Sequence, residues 1–344
     1  MKPDAYIAAE SVTSPKPRHQ EQISNSETLH KFLTSHLPPK GHALHEAALH
    51  HFDKPGKQLR ARMTMMAADA FGTETDVAMH WAVAVEILHN ASLVHDDICD
   101  GDMLRRGRAS VWAKYGRNTA LALGDWLIGL SFELAAEASR LGKIAGLPAL
   151  LARHMKTTTT GQAMEFEQSA YPDWKRYLQI SAGKTAPLFI APVEGIALLA
   201  GRTDLLGPLT GFFTAAGTCY QIANDIQNVL GTDGAANPNS DLARRAPNAV
   251  IVQFIDTLNQ QETDAFTRWL NSGSDDHMAV WQQKMLSSAA PLNTAEQLLS
   301  ILSDADSSAA ALPADCLAVV GPIQTQVQHV CRQMAARCET AAVS

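Results

Sequence analysis

The stretch AVEILHNASLVHDDICDGDMLRRG, Ala84–Gly107, decides how the rest of the chain is read. From Val77 to Ile98 apolar residues recur three and four apart, the period of a helix, and they cover nearly its whole circumference. Such a helix belongs in the middle of a bundle. Its end has the opposite character. Asp96 and Asp100 fall four apart on one face with Asp97 beside them, and Gly101 is a natural C-terminal stop. Three carboxylates thus gather at the negative pole of a helix dipole, where each is disfavoured by about 0.3 to 1 kcal/mol. A positive partner is required.

Two readings supply one. In the first, the acids form a solvated helix end paired with Arg105 and Arg106. The apolar run ahead of them argues against that, because it points into a core. In the second, oxygen ligands hold a hard cation such as Mg2+, which keeps several waters and bridges to phosphate oxygens. Arg105 and Arg106 then act as a phosphate clamp, since a planar guanidinium matches phosphate with two parallel hydrogen bonds. The residues favour a metal and diphosphate site.

Working outward, the 344 residues are 46% apolar and only 18% charged, too little charge for a disordered chain or a long solvated coiled coil. A net charge of -7 argues against a general nucleic-acid binder, which needs a concentrated basic face. Helical periodicity continues through Leu29–Leu37, His42–Phe52, Leu59–Phe71, Thr119–Leu141, Leu147–Phe166, Trp174–Ala182, Pro187–Leu199 and Leu209–Leu230. Beyond Gly231 a polar loop precedes further helical stretches near 249–270, 277–289, 294–303 and 314–341, with 303–313 read as a linker. No alternating strands stand out. The fold class is all-α: residues 1–24 form a flexible tail, with Pro15 and Pro17 as helix breakers, and 25–344 form one helical domain.

The first 25 residues lack the apolar centre of a secretory signal and contain acids that a transit peptide avoids, so a cytoplasmic location is expected. Five cysteines without a CxxC pair fit reduced thiols rather than zinc. The uncharged run Leu205–Asn224 is long enough to cross a bilayer, yet carries Pro208, Gly211, Gly217 and no basic collar. It is expected to be a buried helix, with no transmembrane segment.

Four further elements complete the pattern: GKQLR with Lys57 and Arg60, GQAMEF at 161–166, SAGKTAPLF with Lys184 and Thr185, and YQIANDIQN with Gln221 and Asp225. Each alone is weak. Together and in this order, over roughly residues 40–245, they resemble the trans-isoprenyl diphosphate synthases, or polyprenyl synthetases, whose first aspartate-rich motif DDxxD matches Asp96, Asp97 and Asp100.

The resemblance implies an isoprenoid synthase fold, a helical bundle around a deep apolar pocket, and a homodimer. It implies Mg2+ as cofactor, with isopentenyl diphosphate and an allylic diphosphate as substrates. Asp96, Asp97, Asp100 and Asp225 would hold Mg2+, and Arg105 the allylic diphosphate. Lys57, Arg60, His89 and Arg106 would bind isopentenyl diphosphate, and Lys184, Thr185 and Gln221 would line the allylic side. Residues four and five before Asp96, which in the family stop growth at farnesyl when aromatic, are Ser92 and Ala91, so a longer product is expected, geranylgeranyl diphosphate above others. Trp81, deeper on the same helix, reads as core.

The chain departs from the family at its second motif, normally another DDxxD, which here is Asn224, Asp225, Ile226, Gln227, Asn228. The customary lysines downstream are replaced near Ala236 and Ala246, leaving Arg244 and Arg245 as substitutes. Because the isopentenyl wall is intact, a chain-elongating synthase is favoured over a terpene cyclase or other diphosphate lyase, a weakly active regulatory subunit, or a peptide prenyltransferase. His50 and His51 read as surface or core histidines, and Cys99 as a small buried side chain.

Overall fold

The computed structural model describes residues 18–54, 56, 58–166, 171–231 and 240–343. In chain order, α1 (Arg18–Ser35), α2 (His45–Phe52) and α3 (Leu59–Phe71) lead into α4 (Thr75–Asp100). A two-residue hairpin, β1 (Leu104–Arg105) and β2 (Arg108–Ala109), is followed by α5 (Val111–Tyr115), α6 (Arg117–Leu141), α7 (Leu147–Phe166), α8 (Trp174–Leu199) and α9 (Leu206–Val229). The remainder is α10 (Ser240–Arg244), α11 (Ala249–Thr257), α12 (Gln260–Ser272), α13 (Met278–Leu286), α14 (Ala290–Ala310) and α15 (Leu317–Val343).

The apolar circumference of α4 does what its sequence demands. Residues from Trp81 to Leu88 are all buried, and α3, α6 and α8 pack around them. At its end Gly101 takes a left-handed φ of 70°, which lets the Asp102 N–H reach back to the Asp97 carbonyl at 2.9 Å. The chain then turns through Arg106 and Gly107, both at positive φ, and β1 pairs with β2.

Four boundaries differ from the sequence expectation. Helix α1 begins at Arg18, inside the expected tail. Residues 1–17 lie outside the described residues. Helix α8 is unbroken through Gly183 and Pro187, because burial of Leu188, Ile190, Ala191, Val193 and Ile196 outweighs the hydrogen bonds that Pro187 and Pro192 remove. The 303–313 linker is helical as far as Ala310: Ala305 and Ala309 are buried, and Asp306 accepts hydrogen bonds from Gln324 and Gln328 of α15 at 2.7 and 2.8 Å. The 249–270 stretch divides at Asn259, whose side chain caps α12 in a reciprocal capping box with Glu262.

The uncharged run Leu205–Asn224 lies largely within α9, packed against α8, α14 and α15. Three other helices, α4, α6 and α8, are long and apolar enough to cross a membrane by length and composition. Of these α4 and α8 are mostly buried in the bundle, while α6 leaves more than half of its apolar stretch uncovered.

Candidate active site

The end of α4 brings its acids to three different places. Asp97 is 1% exposed and faces the hairpin, where Arg105 Nε and Nη2 both reach its Oδ1, at 2.6 and 2.5 Å. Asp96 lines an apolar cavity of about 390 Å3, and Asp100 lines a polar chamber of about 180 Å3 beside it. Burial raises the Asp96 carboxyl to about 6, against the opposing pull of Lys184. The three carboxylates therefore do not converge: helical spacing sends Asp97 about 100° away from Asp96, and its Oδ2 is buried with no hydrogen-bond partner among the described residues.

The apolar cavity is walled by Leu88, Ser92, Leu93, Ile128, Met155, Leu188 and Phe189, with polar groups among its lining. Lys184 and Gln221 line both cavity and chamber and so mark the junction. Lys184 pairs with Glu165 at 2.8 Å. That pair depends on a close crossing of α7 and α8, where Gly161 and Gly183 bring the two backbones together. Thr185 donates to Gln221 Oε1 at 3.3 Å, and Gln221 donates to Asp225 at 2.9 Å.

Asp225 is not where a metal ligand would be. It is 2% exposed and accepts from Tyr177 O–H, Gln221 and the Ala249 backbone N–H, at 2.7, 2.9 and 2.8 Å. Burial, with Asp241 nearby, pushes its pKa up to about 8. The carboxyl ties α8, α9 and α11 together; it is structural.

Arg60 is half-buried above the Phe189 ring, 4.9 Å from its centre, and its buried Nε has no hydrogen-bond partner among the described residues. Burial lowers its pKa to about 10, so it stays charged at neutral pH. A guanidinium lining a cavity with a buried, unpartnered Nε suits an anion. His89 also lines this cavity, and burial with Arg60 close by depresses its pKa, leaving a neutral imidazole that can hydrogen-bond but adds no charge. Arg106 donates to the Lys54 carbonyl at 2.9 Å, and lies against Gly56 so closely that a Cβ there would meet its guanidinium at 2.8 Å. Lys57 lies outside the described residues.

Sequence reasoning missed several neighbours. His50 and His51 line a basic pocket with Lys54, Arg105, Arg106 and Arg108, and Asn90 Oδ1 is 3.0 Å from His51 Nε2. Those contacts join residues some 40 to 60 apart in sequence, which no local pattern shows. Cys99 is exposed and lines the apolar cavity, against the buried position expected for it. Of the two expected length-setting residues, Ser92 lines the cavity, whereas Ala91 is fully buried and faces the core. Trp81 is buried as expected, donating to the Ala191 and Pro192 carbonyls and packed on Gly195.

For a metal, the oxygen donors are Asp96, Asp100, Glu165 and Asp241, with amides at Gln221 and Asn224, while His89, His95 and Cys99 also line the cavity. No three His, Cys, Asp or Glu side chains among the described residues form a ready cluster. A hard cation held by one or two carboxylates plus water and phosphate needs none, so the carboxylates present fit a hard divalent cation.

Residues 42–286 match the polyprenyl synthetase family. The chain belongs to that family, and it is a trans-prenyltransferase. A geranylgeranyl diphosphate synthase from Sulfolobus acidocaldarius is 30% identical over 268 residues, covering 74% of this chain and 78% of the relative. An all-trans-nonaprenyl-diphosphate synthase from Rhodobacter capsulatus, specific for geranyl diphosphate, is 29% identical over 252 residues, 71% and 75% of the two chains. Among solved structures, a decaprenyl diphosphate synthase from Rhodobacter capsulatus superposes with a TM-score of 0.81 at 21% identity, covering 92% of this chain and 98% of that one. A polyprenyl synthase from Caulobacter crescentus, complexed with calcium and isoprenyl diphosphate, superposes at 0.79 with 23% identity, covering 91% and 95%. These structures establish the isoprenoid synthase fold for this chain. The family is metal-dependent.

Proposed function

We propose that this polyprenyl synthetase condenses isopentenyl diphosphate with an allylic diphosphate in a Mg2+-dependent reaction, and that its product is longer than farnesyl diphosphate, with geranylgeranyl diphosphate favoured. The observation that carries the reading is a cavity lined by apolar helix faces together with the polar side chains of Asp96, Lys184, Arg60 and Gln221. Charged groups and hydrocarbon walls in one cavity match the two ends of an isoprenyl diphosphate.

Asp96 and Asp100 are the ligands assigned to the metal, and Arg60, Arg106 and Lys57 the cations for isopentenyl diphosphate. Bound Mg2+ would supply Lewis-acid neutralisation of the allylic diphosphate. The allylic C–O bond breaks and its electron pair leaves with the diphosphate. The isopentenyl double bond then attacks the cation to form the new C–C bond, and a proton passes to the departed diphosphate. Thr185 and Gln221 present neutral dipoles beside the cation, and Leu88, Leu188 and Phe189 exclude the water that would quench it. Ser92 leaves room for the growing chain.

A cytoplasmic homodimer belongs to the same proposal. It is supported by five free cysteines and by the uncovered face of α6, where Leu121 is 42% exposed. The deciding assay supplies purified protein with isopentenyl diphosphate, Mg2+ and dimethylallyl, geranyl or farnesyl diphosphate in turn, with products sized by chromatography. Elongation past fifteen carbons that stops on chelation supports the reading. Hydrocarbon release without isopentenyl diphosphate would make it a cyclase, and activity only after a second protein is added would make it a regulatory subunit.

A further inference from the structure

On the wall formed by α9 and α10, the polar residues of the second motif are largely engaged in structure, and Asp241 is the acid that still lines the chamber. Asp225 is consumed by Tyr177, Gln221 and Ala249. Asn228 donates to Ser240 Oγ at 2.9 Å and accepts from the Asp241 backbone N–H at 3.3 Å, tying α9 to α10. Asn224 alone of the motif's polar ends faces the apolar cavity, and an amide brings no negative charge. Among the described residues this wall keeps one carboxylate on the chamber, Asp241, and no pair of them for a metal that would neutralise a leaving diphosphate from that side.

Between Leu206 and Ala249 the sequence contains only two cations, Arg244 and Arg245. Arg245 is spoken for. It stacks on Trp269, 4.0 Å from the ring centre, and donates to the carbonyls of Leu242, Ala243 and Ser274 at 2.6, 3.0 and 2.6 Å. Arg244 points the other way. Its Nη1 lies 3.2 Å from Asp100 and 4.0 Å from Asp102, its Nη2 lies 3.0 Å from Asp241, and it lines the polar chamber with Lys184. One guanidinium thus spans the gap between the acidic end of α4 and the second wall.

Resting on the prenyltransferase reading, we propose that Arg244 is the cation that receives the allylic diphosphate on this wall, doing there what a metal between two acidic motifs would otherwise do. The planar fork that now bridges two carboxylates suits two diphosphate oxygens equally well. When diphosphate takes the fork, Asp100 is released to ligate metal, so substrate and metal binding assist each other. Arg244 keeps its proton throughout and gives up only hydrogen bonds.

The test is calorimetric titration of inorganic diphosphate into the full-length protein at saturating Mg2+, with Arg244→Gln, Arg244→Lys and Arg245→Gln, beside steady-state kinetics. Arg244→Gln is expected to weaken diphosphate binding about tenfold or more, Arg244→Lys to recover part of that, and Arg245→Gln to bind like wild type. In turnover, Arg244→Gln should lower kcat about 100-fold while KM for isopentenyl diphosphate stays near the wild-type value, since that substrate sits on the other wall. Wild-type diphosphate affinity in Arg244→Gln, or an equal loss in Arg245→Gln, overturns the assignment. Because the titration needs no turnover, these outcomes stay distinct from failure of the prenyltransferase reading, which would show as wild-type protein that makes no elongated product.

Discussion

Arg105 closes on a single oxygen of Asp97 through two of its nitrogens, and this contact, 1% exposed on the carboxylate side, fastens the β1–β2 hairpin to the end of α4. The middle acid of the motif is thereby assigned to architecture and the outer two to the cavity and chamber. Asp97→Asn should cost about 2 to 3 kcal/mol in urea unfolding, at the low end for a broken buried pair because Arg105 remains a quarter exposed. Asp96→Asn and Asp100→Asn should leave stability within about 1 kcal/mol of wild type. Each should instead lower kcat about 100-fold. Equal stability losses in all three would refute the division of labour.

That division was only half legible in the sequence. The four-residue spacing correctly put Asp96 and Asp100 on one side of α4, and the all-round apolar pattern correctly made α4 central, because both follow from helix geometry alone. What the pattern could not show is where a side chain goes once a distant residue competes for it. Asp225 reads as the last survivor of a metal motif, yet its partners Tyr177 and Ala249 lie 48 and 24 residues away. Arg244 and Arg245 are adjacent and chemically identical, and only Trp269 and the positive φ of Arg245 separate their roles. Helix ends failed for a related reason: the 303–310 segment looks like a polar linker until Gln324 and Gln328 supply Asp306 with partners.

A Cβ on Gly161 would stand 2.5 Å from the carbonyl carbon of Gly183 and from the backbone nitrogen of Lys184, and backbone cannot step aside as a side chain can. Gly161→Ala should therefore push α8 off α7 and pull Lys184 from Glu165. Overpacking of this kind costs about 1 to 3 kcal/mol. The expected result is a lower melting temperature and a loss of kcat larger than the loss of folded protein explains. Full activity at an unchanged melting temperature would show that the two helices can separate freely.

Chain length should respond to Ser92 rather than to Ala91. Ser92 lines the cavity beside Leu88, so a phenyl ring there occupies the path of the growing product. Ser92→Phe is expected to shift products to fifteen carbons or fewer with the fold intact. Ala91 is fully buried in the core, and a ring at that position has to displace packed neighbours, so Ala91→Phe should act mainly by destabilising the protein. Product sizing of both variants, beside their unfolding curves, separates the two; a stable Ala91→Phe enzyme with shortened products would reverse the assignment.

Acid should unfold the protein partly through Glu194. Burial works to raise its pKa, but the bonds from His154 at 2.6 Å and Arg153 at 2.8 Å more than offset this, and the net displacement is downward. A carboxylate whose pKa is depressed on folding contributes stability that is present above its unfolded pKa of about 4.3 and is lost as pH falls through the folded value. Wild type should accordingly lose stability between neutral pH and the acid side of that range. Glu194→Gln should be less stable at pH 7 and show a smaller drop on acidification, because the group that binds the extra proton on unfolding is gone. Urea unfolding of both proteins at pH 7 and at about pH 4 measures the difference directly. If the two lose stability in parallel, the acid sensitivity arises from other carboxylates, and the pair between α7 and α8 is neutral in its effect.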